Sequence, residues 1–193
     1  DLHRRRHSFP TRRSSDLIPK KKLQKLRTSF AAFCLTFIFA TPVLAEDKSH
    51  VGENTGLPLP RFAALKSAHI NARSGPGDNY PVKAVYKRSG LPVEIVSEFK
   101  LWREIVDIEG EHNWVHKAML SGNRHAIVKE EMYAYSSAGG GSATAKLEKD
   151  SQVRIKECTA TSCLMQVENG ISDIKGWVDK SKLWGVYQNE IFD

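Results

Sequence analysis

No apolar run in this chain of 193 residues is long enough to cross a bilayer. The longest, Phe30 to Ala40, has eleven residues, against the roughly 20 that a spanning helix needs. Helical periodicity is nearly absent: Lys117-Ala118-Met119-Leu120, before Ser121-Gly122, gives at most one turn. The Gly-x-Ser-x-Gly nucleophile elbow and the His-Glu-x-x-His zinc helix are missing too. Cysteine is scarce, at three residues, and every histidine precedes Cys158 and Cys163. That is the wrong order for a Cys–His peptidase. The expectation is a protein without catalytic residues or cofactor. His112 and His116 stand four apart, which on a strand separates them by roughly 13 Å, so no metal site is expected. Asp107, Glu109 and Glu111 bracket Gly110 and read as a solvated hairpin tip.

Charge of one sign is also missing where it would matter. The chain carries 29 basic and 22 acidic residues, yet residues 46–193 hold 19 of the first and 20 of the second. The basic excess lies ahead of them, so charge gives no reason to expect nucleic acid or an anionic membrane as partner.

Two segments account for that excess. Residues 1–17 are rich in Arg and Ser, look like translated sequencing adapter, and are expected to be a non-native or disordered extension. Residues 18–45 read as a signal peptide: Lys20-Lys21-Lys22 to Arg27 is the basic region, Phe30 to Ala40 the apolar core, and Val43-Leu44-Ala45 the cleavage site. Cleavage after Ala45 implies a periplasmic or secreted protein with no remaining membrane attachment. It also removes Cys34, leaving an even pair of cysteines in an oxidising compartment, which reads as a disulfide.

What is present is a run of short β segments. Asn71-Ala72-Arg73-Ser74-Gly75-Pro76-Gly77-Asp78-Asn79-Tyr80-Pro81 must be a tight irregular loop. Strands are expected at Phe62–Lys66, Ala68–Ala72, Val82–Tyr86, Leu91–Phe99, Leu101–Ile108 and Trp114–His116, with turn residues between them. The order then recurs: Ile70 to Trp114 is 44 positions, and Met132 to Trp177 is 45. Two copies of one small β unit account for this spacing. In the second copy Gly139-Gly140-Gly141 replaces the proline-braced loop, which predicts a mobile loop there.

Ile70-Asn71-Ala72-Arg73-Ser74-Gly75-Pro76-Gly77 resembles the opening of bacterial SH3 domains. Trp114-Val115-His116, Gly176-Trp177-Val178 and Leu183-Trp184-Gly185-Val186-Tyr187 resemble their closing strands, and the whole order is similar to exported proteobacterial tandem SH3-like proteins of undefined function. In the second copy Tyr135 stands at the Arg73 position and Cys163 at the Trp102 position. The resemblance implies an all-β protein of two tandem small SH3-like β-barrels. Its expected parts are a flexible leader (46–56), a first barrel (57–122), a linker (123–131), a second barrel (132–188) and a tail (189–193).

Aromatic residues are the candidates for function, because rigid rings in a groove bind extended peptides at little entropic cost. Arg73, Tyr80, Tyr86 and Trp102 are expected to share one exposed face, with Arg73 available to a carboxylate or carbonyl. Trp114 and Trp177, each followed by Val in a closing strand, read as core. The implied ligand is peptidoglycan peptide, with an extended segment of an envelope protein as the alternative partner and a wall-active enzyme as a distant third reading. Cys158 and Cys163 flank a four-residue hairpin loop, Thr159 to Ser162. The inward parity of Val153 and Ile155 puts Cys158 on the outer face, so the bond should lie at the surface unless a bulge shifts the register.

Overall fold

In the computed structural model the described residues are 50–168 and 173–193, with the side chain of Glu168 excepted. The adapter-like stretch, the signal reading and Cys34 lie outside them. Two short strands, β1 (His50–Val51) and β2 (Pro58–Leu59), form an antiparallel ribbon. The chain then continues as β3 (Arg61–Leu65), β4 (Ile70–Arg73), β5 (Val82–Tyr86), β6 (Pro92–Phe99), β7 (Trp102–Val106) and β8 (His112–His116). A single 3-10 turn, Lys117–Met119, leads into β9 (Leu120–Ser121). These seven strands make one antiparallel sheet in the order β5-β4-β8-β7-β6-β3-β9.

The remaining strands are β10 (His125–Val128), β11 (Met132–Ser137), β12 (Gly140–Leu147), β13 (Gln152–Cys158), β14 (Ser162–Glu168) and β15 (Asp173–Asp179). A second 3-10 turn, Lys180–Lys182, precedes β16 (Leu183–Trp184). They form another seven-stranded sheet, ordered β12-β11-β15-β14-β13-β10-β16, which repeats the first order position for position. The protein is therefore all-β, with 3-10 turns as its only helical pieces among the described residues.

Alternation along each strand supplies the two cores, since successive side chains point to opposite faces. Ile70 and Ala72 on β4, Val93 and Ile95 on β6, Ile105 on β7 and Val115 on β8 are buried in the first. Met132, Ala134, Val153, Ile155, Met165 and Val178 occupy the matching positions in the second. Gly176 is forced to be glycine by this packing: a Cβ there would stand 2.8 Å from the Ala134 Cβ.

Several segments differ from the sequence expectation. Residues 123–131, read as a linker, contain β10, and Ala126, Ile127 and Val128 are buried. Val128 takes the place in the second core that Leu65 has in the first, so the apolar triplet is a strand whose partners are distant in sequence. The stretch read as a flexible leader is tied down where it is described. The backbone N–H groups of Asn54 and Thr55 and the Thr55 hydroxyl donate to the Glu98 carboxylate at 3.1, 3.1 and 2.7 Å. Gly139 lies in the turn between β11 and β12, and Gly140 and Gly141 already belong to the eight-residue strand β12. The tail pairs as well, with Cys158 and Phe192 exchanging backbone hydrogen bonds at 2.7 and 3.1 Å.

The expected disulfide Cys158–Cys163 is formed, with Cα atoms 4.1 Å apart. It is buried, at 1% and 0% exposure, because a bulge between Ile155 and Glu157 turns Cys158 inward. Cross-strand register also moves Cys163 one position from the expected match. Trp177 pairs with Leu164 as Trp114 pairs with Glu104, so Cys163 corresponds to Arg103 and Ser162 to Trp102.

Aromatic and polar contacts join the two sheets. Phe62 packs against Trp184 and Tyr187 at centroid distances of 5.3 and 4.7 Å. The Tyr187 hydroxyl donates to the Glu94 carboxylate at 2.6 Å. Burial and that carboxylate push the Tyr187 hydroxyl pKa well above its ordinary value. The Arg124 guanidinium lies 6.0 Å from the Phe62 ring centroid, and within the second half of the chain it donates to the Gly185 carbonyl at 3.0 Å and pairs with Glu190.

Candidate functional site

The Gly/Pro-rich loop between β4 and β5 is built by its own backbone. Ser74 N–H donates to the Pro81 carbonyl at 3.1 Å, Gly77 N–H to Gly75 at 3.0 Å, and Tyr80 N–H to Gly77 at 3.2 Å. The Tyr80 ring lies directly on Gly75, where any Cβ would overlap it. Arg73 closes the loop from the strand, its Nη1 donating to the Tyr80 carbonyl at 2.7 Å and its Nη2 standing 3.6 Å from the Asp78 carboxylate. Arg73 thus braces the loop with the fork that was expected to face a ligand. Tyr80 remains 40% exposed.

Register decides which candidates share a face. Arg73 pairs with Trp114, and Trp114 with Glu104. Trp114 stands between the buried Asn113 and Val115, so this row faces outward. One step along, Trp102 pairs with His116, the rings meeting edge-on at 5.6 Å. Arg73, Tyr80 and Trp102 therefore lie on or beside the outer face. Tyr86 does not. It packs against the first core and its hydroxyl donates to Asp107 at 2.8 Å while accepting from the Asn113 side-chain amide at 3.1 Å. Burial, then the Asp107 carboxylate, raise its pKa far above that of a free phenol.

Trp114 and Trp177, expected in the core, are instead half-buried on the outer face. A Trp-Val pair on a half-buried strand points one side chain each way, and here Val takes the inside. In the second sheet the same row is Tyr135–Trp177–Leu164. The placement of Tyr135 at the Arg73 position is thus the one the register gives. The outer-face tryptophans are what sequence reasoning missed; the alternation with buried Asn113 was the available signal, and a polar Asn reads as an outward residue.

Asp179 stands where His116 does, and each caps its 3-10 turn. His116 Nδ1 accepts from Ala118 N–H at 3.3 Å, and Asp179 Oδ1 from Ser181 N–H at 2.8 Å. The hydrogen bonds from Ser181 hold the Asp179 carboxyl below its usual range.

The hairpin tip at Gly110 is as expected, with Asp107 Oδ1 accepting the N–H groups of Glu109 and Glu111 at 3.1 and 3.0 Å. No cluster of three metal-ligating side chains occurs among the described residues. Ser97 and Lys100 have the Ser-x-x-Lys spacing, but Ser97 lies on extended β6 and Lys100 at a hairpin tip, its ammonium 5.4 Å from the Phe99 ring centroid.

Residues 66–122, from just before β4 to just past β9, match the bacterial SH3 domain family. The second sheet lies beyond the matched residues. Curated proteins give no match. Among solved structures, NlpC2 and NlpC1 from Trichomonas vaginalis each align at 14% identity with a TM-score of 0.29. The alignments cover 65% and 69% of this chain and 48% of each of those chains, so the protein spans about half their length. Superpositions that loose carry no inference about chemistry.

Proposed function

We propose that the protein is an exported, non-enzymatic binding protein of the cell envelope that holds peptidoglycan peptide along the outer faces of two SH3-like barrels. The observation that carries this reading is the pair of aromatic rows: Arg73–Trp114 flanked by Tyr80 and Trp102 in the first sheet, Tyr135–Trp177 in the second. Rings fixed on strands give an extended peptide contact area without ordering loops on binding. The bacterial SH3 match at residues 66–122 supports a peptide-like ligand from the wall. Export is supported by the signal-like residues 18–45 and by the disulfide, a bond that persists in oxidising compartments. Binding without turnover is supported by the cysteines, which are joined to each other and buried.

Sedimentation with purified sacculi tests the ligand. Retention that drops on Trp114→Ala supports the wall reading, and a clear supernatant transfers the proposal to an envelope protein. Soluble fragments released from peptidoglycan by the purified protein would overturn the non-enzymatic reading.

A further inference from the structure

Resting on that peptide-binding reading, we propose that the outer face of the second sheet holds an amine subsite, which takes the side-chain ammonium of a lysine or diamino acid in the bound peptide. The site is a groove of about 470 Å³ walled by Tyr135, Ser137, Thr161, Ser162, Trp177 and Asp179. Tyr135 pairs with Trp177 and Ser162 with Asp179. Trp177 and Asp179 are two residues apart on one strand, so both project from the same face.

The first sheet shows what is distinctive here. Its corresponding positions are Arg73, Trp114, Trp102 and His116. The tryptophan on β8 and β15 is common to both sheets. Around it, the second sheet exchanges two groups able to carry positive charge for a phenol ring and a carboxylate. An ammonium is drawn to an aromatic face by the ring's quadrupole, and it forms a strong charge-assisted hydrogen bond with a carboxylate. Tyr135 and Asp179 offer both within one groove.

Asp179 is set for the task. Oδ1 takes the Ser181 N–H at 2.8 Å and the Ser181 hydroxyl at 2.7 Å, which fixes the side chain. Oδ2 accepts no hydrogen bond among the described residues. The cations acting on Asp179 are Lys182 and Lys129. Lys182 is held by Glu130 at 2.9 Å.

The test uses the peptide Ala–γ-Glu–Lys–Ala and its ε-N-acetyl form, titrated into the full protein and followed by NMR. The free-amine peptide is expected to shift the Trp177 indole and the backbone signals of Tyr135 and Ser162. Acetylating the amine, or replacing Asp179→Asn, is expected to weaken binding roughly three- to tenfold. Asn is as good an N-cap as Asp, so the variant keeps the turn while losing the charge. Tyr135→Phe retains the ring and should bind as the parent does, whereas Tyr135→Leu should not. Equal affinity for the two peptides, or shifts confined to the first sheet, would overturn the subsite. Sacculus pelleting run in parallel separates the two readings. Pelleting with no amine dependence removes the subsite and leaves the wall ligand standing; amine-dependent peptide binding without pelleting does the reverse.

Discussion

Glu98 and Arg103 face each other across β6 and β7 at the position where Cys158 and Cys163 face each other across β13 and β14. Both pairs follow a bulge one residue earlier on the first strand, between Ile95 and Ser97 or between Ile155 and Glu157, and both are turned inward by it. One sheet closes its hairpin with a buried ion pair at 3.4 Å, the other with a covalent bond. A buried carboxylate needs its remaining lone pairs satisfied as well, and Glu98 has Arg61 at 2.7 Å and the leader N–H groups for this. Burial raises the Glu98 pKa, but Thr55, Arg61, Asn54 and Arg103 together outweigh it and leave the carboxyl below its ordinary range.

The covalent pair sets the first prediction. Its ring is short, so the chain-entropy estimate of its contribution is about 2 kcal/mol. The double variant Cys158→Ala/Cys163→Ala should lose about that much in urea unfolding, and reductant should have no effect on it. An unchanged unfolding midpoint would count against the bond as a stabilising feature.

The ionic pair makes a pH prediction. A carboxyl whose folded pKa is depressed contributes stability above the unfolded value of about 4.3 and loses it as pH falls through the folded value. Glu190, depressed because its bonds to Arg124 outweigh the effect of burial, adds in the same direction. Stability should therefore fall steadily on acidification below about pH 5. Glu98→Gln should be less stable at pH 7 and show a shallower decline, measured by thermal melts across the range.

Glycine packing gives a third. Gly176→Ala should cost about 1–3 kcal/mol, because the added methyl meets the Ala134 Cβ and the Thr144 hydroxyl. Gly75→Ala should instead act on function. It displaces the Tyr80 ring from an exposed loop, so sacculus retention should drop while the urea midpoint moves little.

Arg124 gives the fourth. It joins the start of the second sheet to Gly185 and Glu190, and its guanidinium lies 5.0 Å from the Phe192 ring centroid. Arg124→Ala should speed amide exchange over 186–192, with Cys158 N–H among the groups affected, since it donates to Phe192. Exchange unchanged in that stretch would show that the buried Lys180, whose Nζ donates to the Glu190 carbonyl at 2.6 Å, holds the tail unaided.

The strand pattern was legible where alternation or turn residues mark it. Val82–Tyr86, bounded by Pro81 and by Ser89-Gly90, is reproduced to the residue by its turn punctuation and not by alternation, and the turn at Lys117–Met119 was visible as one helical turn. β10 was hidden because His125-Ala126-Ile127-Val128 is apolar without alternation, and its strand partners are distant in sequence. Which of the candidate side chains face outward was less legible. Tyr86 looks like an exposed groove residue until Asp107 and Asn113 are seen to engage its hydroxyl inside. Glu98 gave no signal at all, since a lone Glu in an alternating strand reads as solvated, and only the bulge turns it inward.

Phe62, seated between Trp184 and Tyr187, has a consequence for valency. That contact and the Tyr187–Glu94 bond tie the sheet carrying one outer face to the sheet carrying the other. On the peptide-binding function proposed above, two-point attachment acts as a gauge of the partner's own repeat: where the spacing matches, the second engagement is intramolecular and the avidity multiplies, and where it does not, a single face carries the whole affinity.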